Sequence, residues 1–349
     1  MTQPASGASA YTEAGVNLDA ADQAKLQIRD AVRSTHGTRV LGGMGGFGGL
    51  FAIGDLGLRD PVLVSSIDGV GTKLKIAFTL DRHESVGADL VAHCVNDILV
   101  CGAHPLFFLD YLALGAMDAD QVGAVVRGVA AGCRATGCAL VGGETAAMPG
   151  FYAAGEYDLA GCIVGVVERE SIITGAAIQA GDVIIGFPAD GLHTNGYSLA
   201  RHVFEGEDLH RFLPDLGRTL GDELLQPHRC YLNEVTPLLD ERLVTGMAHI
   251  TGGGLVDNLP RVLPDGLTMT LDATTWDVLP IFRLIQRRGS VSWDEMQRVF
   301  NLGLGFVLCC RPQHAARVLE LAGASGARRV GSVRQRVGDE APVQVEGLA

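Results

Sequence analysis

The sequence is short of basic charge, of long apolar runs and of paired cysteines. Its 27 Lys and Arg face 40 Asp and Glu, a net charge of −13. A chain that tracks a phosphate backbone carries a basic stripe, so nucleic acid is not the expected partner, and neither is an anionic membrane surface. No apolar run reaches the roughly 20 residues that cross a bilayer. The eight cysteines (Cys94, Cys101, Cys133, Cys138, Cys162, Cys230, Cys309, Cys310) include no C-x-x-C pair, which argues against a structural zinc. Most sit in apolar patterns such as G-F-V-L-C-C at 305–310 and read as buried free thiols of a reducing compartment. Residues 1–10 lack the charged-then-apolar pattern of an export signal, so they read as a disordered lead-in and the expected location is cytoplasmic.

What is abundant is glycine, 47 residues of 349, which predicts many tight turns and close backbone approaches. The length favours two domains. Strands and helices alternate through both halves, an α/β (α+β) pattern, and the shift near residues 168–181 marks the boundary. Expected strands cover 62–64, 106–114, 139–141 and 157–167 in the first half. Expected helices cover 19–34, capped by Asp19, then 85–101 and 118–137. In the second half strands are expected at 183–187, 247–250, 267–271, 306–310 and 328–333.

The polar residues gather at strand ends. Residues 62–75 read V-L-V-S-S-I-D-G-V-G-T-K-L-K: an apolar strand releases a carboxylate, two glycines, a hydroxyl and an ammonium. Alone this is either a Gly-rich turn or a wall of a metal–polyphosphate site. Upstream, residues 40–50 place six glycines around Met44 and Phe47. No Gly-Lys-Ser/Thr follows, which excludes a Walker loop. The stretch reads as a linker or, preferably, as a flap whose amides close over phosphates. Asp97 interrupts an apolar helical stripe, where an unpartnered carboxylate is costly. Glu144 follows two glycines at another strand end. Three carboxylates and one lysine suit one or two Mg²⁺ ions carrying a nucleotide. In the second half, H-T-N-G-Y-S at 193–198 and T-G-G-G at 251–254 each open a helix and are candidate anion cradles. An ordinary cap with an exposed His193 is the plain alternative for the first.

These motifs, in this order, resemble the aminoimidazole ribonucleotide synthetase (phosphoribosylformylglycinamidine cyclo-ligase) family. The resemblance runs from about residue 11 to 333. It rests on Y-T-E-A-G-V-N at 11–17, G-G-M-G-G-F-G-G-L at 42–50, D-G-V-G-T-K-L-K at 68–75, C-V-N-D-I at 94–98, P-L-F-F-L-D-Y at 105–111, L-V-G-G-E-T-A-A-M-P-G at 140–150, the two second-half motifs and F-N-L-G-L-G-F at 300–306. It implies two α/β domains, an N-terminal ATP-binding and dimerisation domain at 11–170 and a C-terminal substrate-binding domain at 171–349. The N-terminal domains would pair in a homodimer barrel. It implies ATP-dependent closure of formylglycinamidine ribonucleotide, a small-molecule substrate, into an imidazole ring.

Set onto that reaction, Mg²⁺ falls to Asp68, Asp97 and Glu144. ATP falls to Gly45, Gly46, Phe47, Gly48, Gly49, Asp68, Gly69, Gly71, Thr72, Lys73 and Asp110. The substrate falls to His193, Asn195, Gly196, Ser198, Thr251, Gly252 and Gly253. Lys73 faces the phosphates and His193 handles the proton, as the catalytic pair. Arg29 stands where the family often has Lys, and Leu302 where Met is common. The rival readings are thiamine-monophosphate kinase, selenophosphate synthetase, the hydrogenase-maturation enzyme and the preceding amidotransferase, or a catalytically dead nucleotide-binding scaffold. No cysteine precedes Cys94 and none lies in 345–349, against the thiol-dependent members of that set.

Overall fold

The computed structural model describes residues 17–43 and 46–348, so the lead-in, most of the 11–17 motif, Met44 and Gly45 lie outside the described residues. Helix α1 (Leu18–Arg33) is capped by Asn17, whose side chain accepts from the Ala20 amide at 3.1 Å. Asp19 lies one step inside, in the first turn, where a carboxylate favours the helix dipole. After the Gly-rich arch come β1 (Pro61–Gly69), α2 (Leu74–Leu80), α3 (Glu84–Leu99), β2 (His104–Leu114), α4 (Ala119–Thr136), β3 (Ala139–Ala147) and β4 (Tyr157–Glu168). The strands form one sheet in the order β1-β4-β2-β3, with only β2 and β3 parallel.

One face of this sheet is covered by α3 and α4. The two helices pack backbone to backbone because Gly87 and Gly128 lack side chains. A Cβ at Gly87 would meet the Val125 carbonyl, and one at Gly128 the Glu84 carbonyl. Helix α4 starts at Asp118, which accepts from two amides, and stops at Gly137 with φ 68°. No helix among the described residues covers the opposite sheet face, where Phe51 packs on Phe107. That face carries Leu63, Ile67 and Tyr111, all exposed.

The second half builds a six-stranded sheet, β12-β9-β11-β5-β10-β8, from β5 (Val183–Pro188), β8 (Val244–His249), β9 (Leu267–Asp272), β10 (Leu304–Cys310), β11 (Arg328–Gln335) and β12 (Val343–Glu346). A small hairpin, β6 (Phe212–Leu213) with β7 (Arg218–Thr219), stands apart. Every residue of β10 is buried, which is why it reads as an unbroken apolar run rather than an alternating one. All eight cysteines are free thiols, five of them in the core. No helix among the described residues is long and apolar enough to cross a membrane.

The two halves meet along α3, which is buried on almost every side yet carries Asp89, His93, Asn96 and Asp97. Residues 226–231 of the second half run beside it. Asn96 donates to the Arg229 carbonyl at 2.8 Å and accepts from the Tyr231 amide at 3.0 Å. Asp89 accepts from the His228 amide at 2.7 Å. These bonds satisfy polar groups on a helix that propensity alone would bury in an apolar core.

Candidate active site

Strand β1 continues to Gly69, so Asp68 belongs to the strand and the turn begins after it. Gly71, with φ 68°, opens the one-turn helix Gly71–Lys73. This turn touches the H-T-N-G-Y-S turn of the second half: Thr72 Oγ1 lies 3.3 Å from Ser198 Oγ. On the far side, Gly252 abuts Asn195, since a Cβ there would stand 3.3 Å from Asn195 Oδ1. The 251–254 turn is stapled by Asn258, whose amide donates to the carbonyls of Thr251, Gly252 and Gly254 at 2.9–3.3 Å. Three motifs far apart in sequence are thus one surface, with Gly71, Thr72, Ser198 and Gly252 exposed along it and Gly69, Asn195, Gly196, Thr251 and Gly253 half-buried. Asn195 Nδ2 is buried without a partner and is a free donor within it.

Four expectations are corrected. Lys73 does not reach the exposed surface: its side chain is fully buried, 2.6 Å from Asp89 Oδ2 and 2.7 Å from the Gln226 carbonyl. The helical turn swings it inward, and a buried ammonium needs that carboxylate. His193 is likewise turned inside, at φ 62°, with no exposed surface. It stacks on His228 at 4.2 Å, in space left by Gly305, where a Cβ would strike the His193 ring. Burial holds it neutral, well below the usual imidazole range. Glu144 lies inside β3 opposite Tyr111, on the uncovered sheet face, whereas its neighbour Gly143 shares the row of Asp110, Gly161 and Asp68. The period of two in a strand therefore separates Glu144 from Asp68. Asp110 is two strands from Asp68 in that row, roughly 10 Å across the sheet. Burial pushes its carboxyl up to about 7.

Asp68 and Asp97 do come together, and histidines that the sequence reading passed over hold them. His93 Nε2 lies 2.8 Å from Asp68 Oδ2, and His93 Nδ1 lies 2.7 Å from Thr194 Oγ1. Thr194 Oγ1 lies 3.2 Å from His228 Nδ1. His228 Nε2 meets His249 Nε2 at 3.0 Å, and His249 Nδ1 meets Asp97 Oδ1 at 2.8 Å. Asp97 Oδ2 accepts from Ser66 on β1 at 3.0 Å, which closes the circuit. Between the two carboxylates there are five contacts, carried by three imidazoles and one hydroxyl.

Burial raises both carboxyls, but the hydrogen bond and charge of His93 outweigh it at Asp68, and those of His249 at Asp97, so each ends below its ordinary value. Burial lowers His228 and His249. His193, His228 and His249 bring ligand atoms within 4.8 Å of one another, and so do His93, Asp97 and His249. One signal in the sequence could have found this network. Asp89, His93, Asn96 and Asp97 recur at helical spacing on one otherwise apolar helix. His228 and His249 carry no such pattern.

The arch at 46–49 is exposed, with Phe47 fully so. Its base is pinned by Leu41 N–Leu50 O at 2.9 Å and Ala52 N–Arg39 O at 2.7 Å. Its far end rests on β3, since Gly49 lies against Val141, where a Cβ would come within 2.9 Å.

Comparison with known proteins places this geometry in a family. Residues 54–167 match the family described as AIR synthase related protein, N-terminal domain, and residues 179–343 match its C-terminal domain. A phosphoribosylformylglycinamidine cyclo-ligase of Desulfitobacterium hafniense is 54% identical over 303 residues, 87% of this chain and 89% of that protein. One from Neisseria meningitidis is 48% identical over 343 residues, 96% and 98% of the two chains. Among solved structures, thiamine-monophosphate kinase from Stenotrophomonas maltophilia aligns with a TM-score of 0.68 at 19% identity, over 92% of this chain and 96% of that one. The hydrogenase maturation protein HypE in complex with ATP aligns with a TM-score of 0.66 at 16% identity, over 98% and 92%. At such identities these two speak for the fold alone.

Proposed function

The chain belongs to the phosphoribosylformylglycinamidine cyclo-ligase family, whose reaction in purine biosynthesis is therefore its own, and we propose how its residues serve that chemistry. An amide oxygen is a poor leaving group. Transfer of a phosphoryl group from ATP converts it to an iminophosphate. An amidine nitrogen then attacks that carbon, forms the C–N bond and expels phosphate. The protein must hold two anionic molecules with their reacting atoms aligned and shield the charge that builds between them.

The observation that carries the assignment is the meeting of the 68–73 turn with the 193–198 turn across the two halves. Nucleotide binds on the first-half side, against Gly69, Gly71 and Thr72, while the arch at 46–49 stands on β3 at the other edge of that sheet. Substrate binds on the second-half side, against Asn195, Gly196, Ser198 and the Thr251–Gly253 turn. Asn195, with its free donor, orients a substrate oxygen. The donor set of Asp68 and Asp97 is two partly exposed carboxylates, which suits a hard cation such as Mg²⁺. Bound there, Mg²⁺ would screen phosphate charge. Lys73 and His193 support the walls of this site from inside and do not touch the reactants. The uncovered apolar face of the first sheet supports pairing of two copies as a homodimer, with Glu144 on that surface.

The test is ADP release with and without formylglycinamidine ribonucleotide. Release that requires the ribonucleotide and yields the aminoimidazole product is expected. Absent or ribonucleotide-independent release from folded protein would overturn the reading.

A further inference from the structure

We propose that Thr194 is a positioning residue that couples the two cation-binding carboxylates to the substrate-side turn. The inference rests on the assignment of Asp68 and Asp97 given above. An imidazole that steadies a carboxylate does so only if its second nitrogen is also held, because otherwise the ring rotates. His93 steadies Asp68 through Nε2, and Thr194 Oγ1 holds its Nδ1. On the other side Thr194 Oγ1 holds Nδ1 of His228, whose Nε2 meets His249, the partner of Asp97. One hydroxyl therefore orients both arms. It is also the point where the chain enters the second half of the molecule, since Asp68, His93 and Asp97 belong to the first half and Thr194, His228 and His249 to the second.

Thr194 is placed by the turn that presents Asn195. The residue before it, His193, sits in the left-handed region at φ 62°, and the residue after Asn195 is Gly196 at φ 77°. Non-glycine residues adopt that region at a cost, and packing must impose it. Here the stack on His228 and the pocket left by Gly305 do so. Any displacement of Asn195 by substrate moves Thr194 with it, and through three imidazoles, His93 on one arm and His228 with His249 on the other, it moves both carboxylates. Thr194 is only 7% exposed, so solvent cannot substitute for its hydroxyl.

Thr194→Val removes the hydroxyl at nearly constant volume, and Thr194→Ser keeps it. Turnover and the Mg²⁺ concentration for half-maximal rate are measured for both at saturating substrates, with melting temperature as the check on folding. Loss of an outer partner of this kind typically costs 10–100-fold. Thr194→Val is expected to lose turnover in that range and to need more Mg²⁺, while Thr194→Ser stays within about 3-fold of the parent. Thr194→Ala, which adds no methyl group beside the imidazoles, must show the same loss as Thr194→Val. Combining Thr194→Val with His93→Asn should cost little more than either alone, since both break one chain.

Equal behaviour of the Val and Ser variants would overturn the proposal. So would a fall in melting temperature with turnover and Mg²⁺ dependence unchanged, or losses that simply multiply in the double variant. Asp97→Asn separates this from its premise. An unchanged Mg²⁺ dependence in Asp97→Asn overturns the carboxylate assignment. A shifted dependence there with none in Thr194→Val overturns the coupling alone.

Discussion

Lys73 and Asp110 are two ionisable side chains set among packed neighbours, Lys73 fully buried and Asp110 half-buried, and they differ in having a partner. The Lys73 ammonium meets Asp89 at 2.6 Å with both side chains fully buried. Removing one member of such a pair strands the other and costs about 3–5 kcal/mol. Lys73→Met is therefore expected to lose stability on that scale in denaturant melts. Adding Asp89→Asn removes the stranded charge while an amide oxygen still accepts from the His228 amide. The double variant should regain most of the stability and, with it, ADP release. A stable but inactive double variant would return Lys73 to the phosphates.

Asp110 has no cation beside it, and burial lifts its carboxyl from 3.8 to about 7. The folded form then binds a proton that the unfolded form releases, so stability falls as pH rises through the window from about 4 to 7. Asp110→Asn should melt higher than the parent at pH 8, with the gain fading toward pH 4. A constant gain at all pH values would place the cause elsewhere.

Glycines do different work from element to element, and only some of it is visible in the sequence. Gly137 ends an amphipathic helix that begins at Asp118, and both ends are plain from the residues because capping is local chemistry. Asp68 and Asp97 are legible for a similar reason, as acids set in apolar patterns. The length of β3 is not. G-G-E at 142–144 has turn composition, yet parallel pairing with β2 carries the strand through it, and that one extension moves Glu144 to the other face. The short helix α2 and the helix Leu232–Asp240, with Pro237 inside it, are also missed, because tertiary packing rather than propensity holds them. His228 and His249 are invisible for a third reason. Each alone is an ordinary core histidine, and only the fold brings them to Thr194 and Asp97.

Gly254 tests the element directly. It has φ 57°, and a Cβ would run into the carbonyls of Gln297 and Phe300. Gly254→Ala should cost roughly 1–3 kcal/mol from backbone strain alone and push the Thr251–Gly253 turn against Asn195. A raised KM for the ribonucleotide with little change for ATP is the expected kinetic signature. Equal effects on both substrates would remove that turn from the substrate side.

For the whole molecule the open question is the sheet face that no helix covers. Alternation along β1 puts Leu63 and Ile67 on that face, 57% and 73% exposed, beside Tyr111 at 41%. The cross-strand neighbour of Leu63 on β4, Val166, is buried, but that of Ile67 is the half-buried Cys162, with half-buried Leu109 beside it on β2, so around Ile67 the apolar surface crosses three strands. A patch of that kind on a sheet is a place for another protein surface. A second copy meets the requirement without any further component, because twofold pairing lets each face cover the other. Among the described residues no helix covers it, since α3 and α4 occupy the opposite face and α3 is itself enclosed by the second half; Phe51 packs there, on Phe107.

Ile67→Glu places a charge at the most exposed of these apolar positions, one residue before Asp68. In sedimentation the parent chain should run at twice 36.7 kDa and the variant at 36.7 kDa. Because alternation points residue 67 away from Asp68, the monomeric variant should keep its fold and its melting cooperativity. Loss of ADP release on dissociation would mean that the nucleotide site needs the partner surface where Glu144 lies. Retained release from a monomer would mean that each chain carries a complete site. A parent chain that runs as a monomer at all concentrations would overturn the pairing itself.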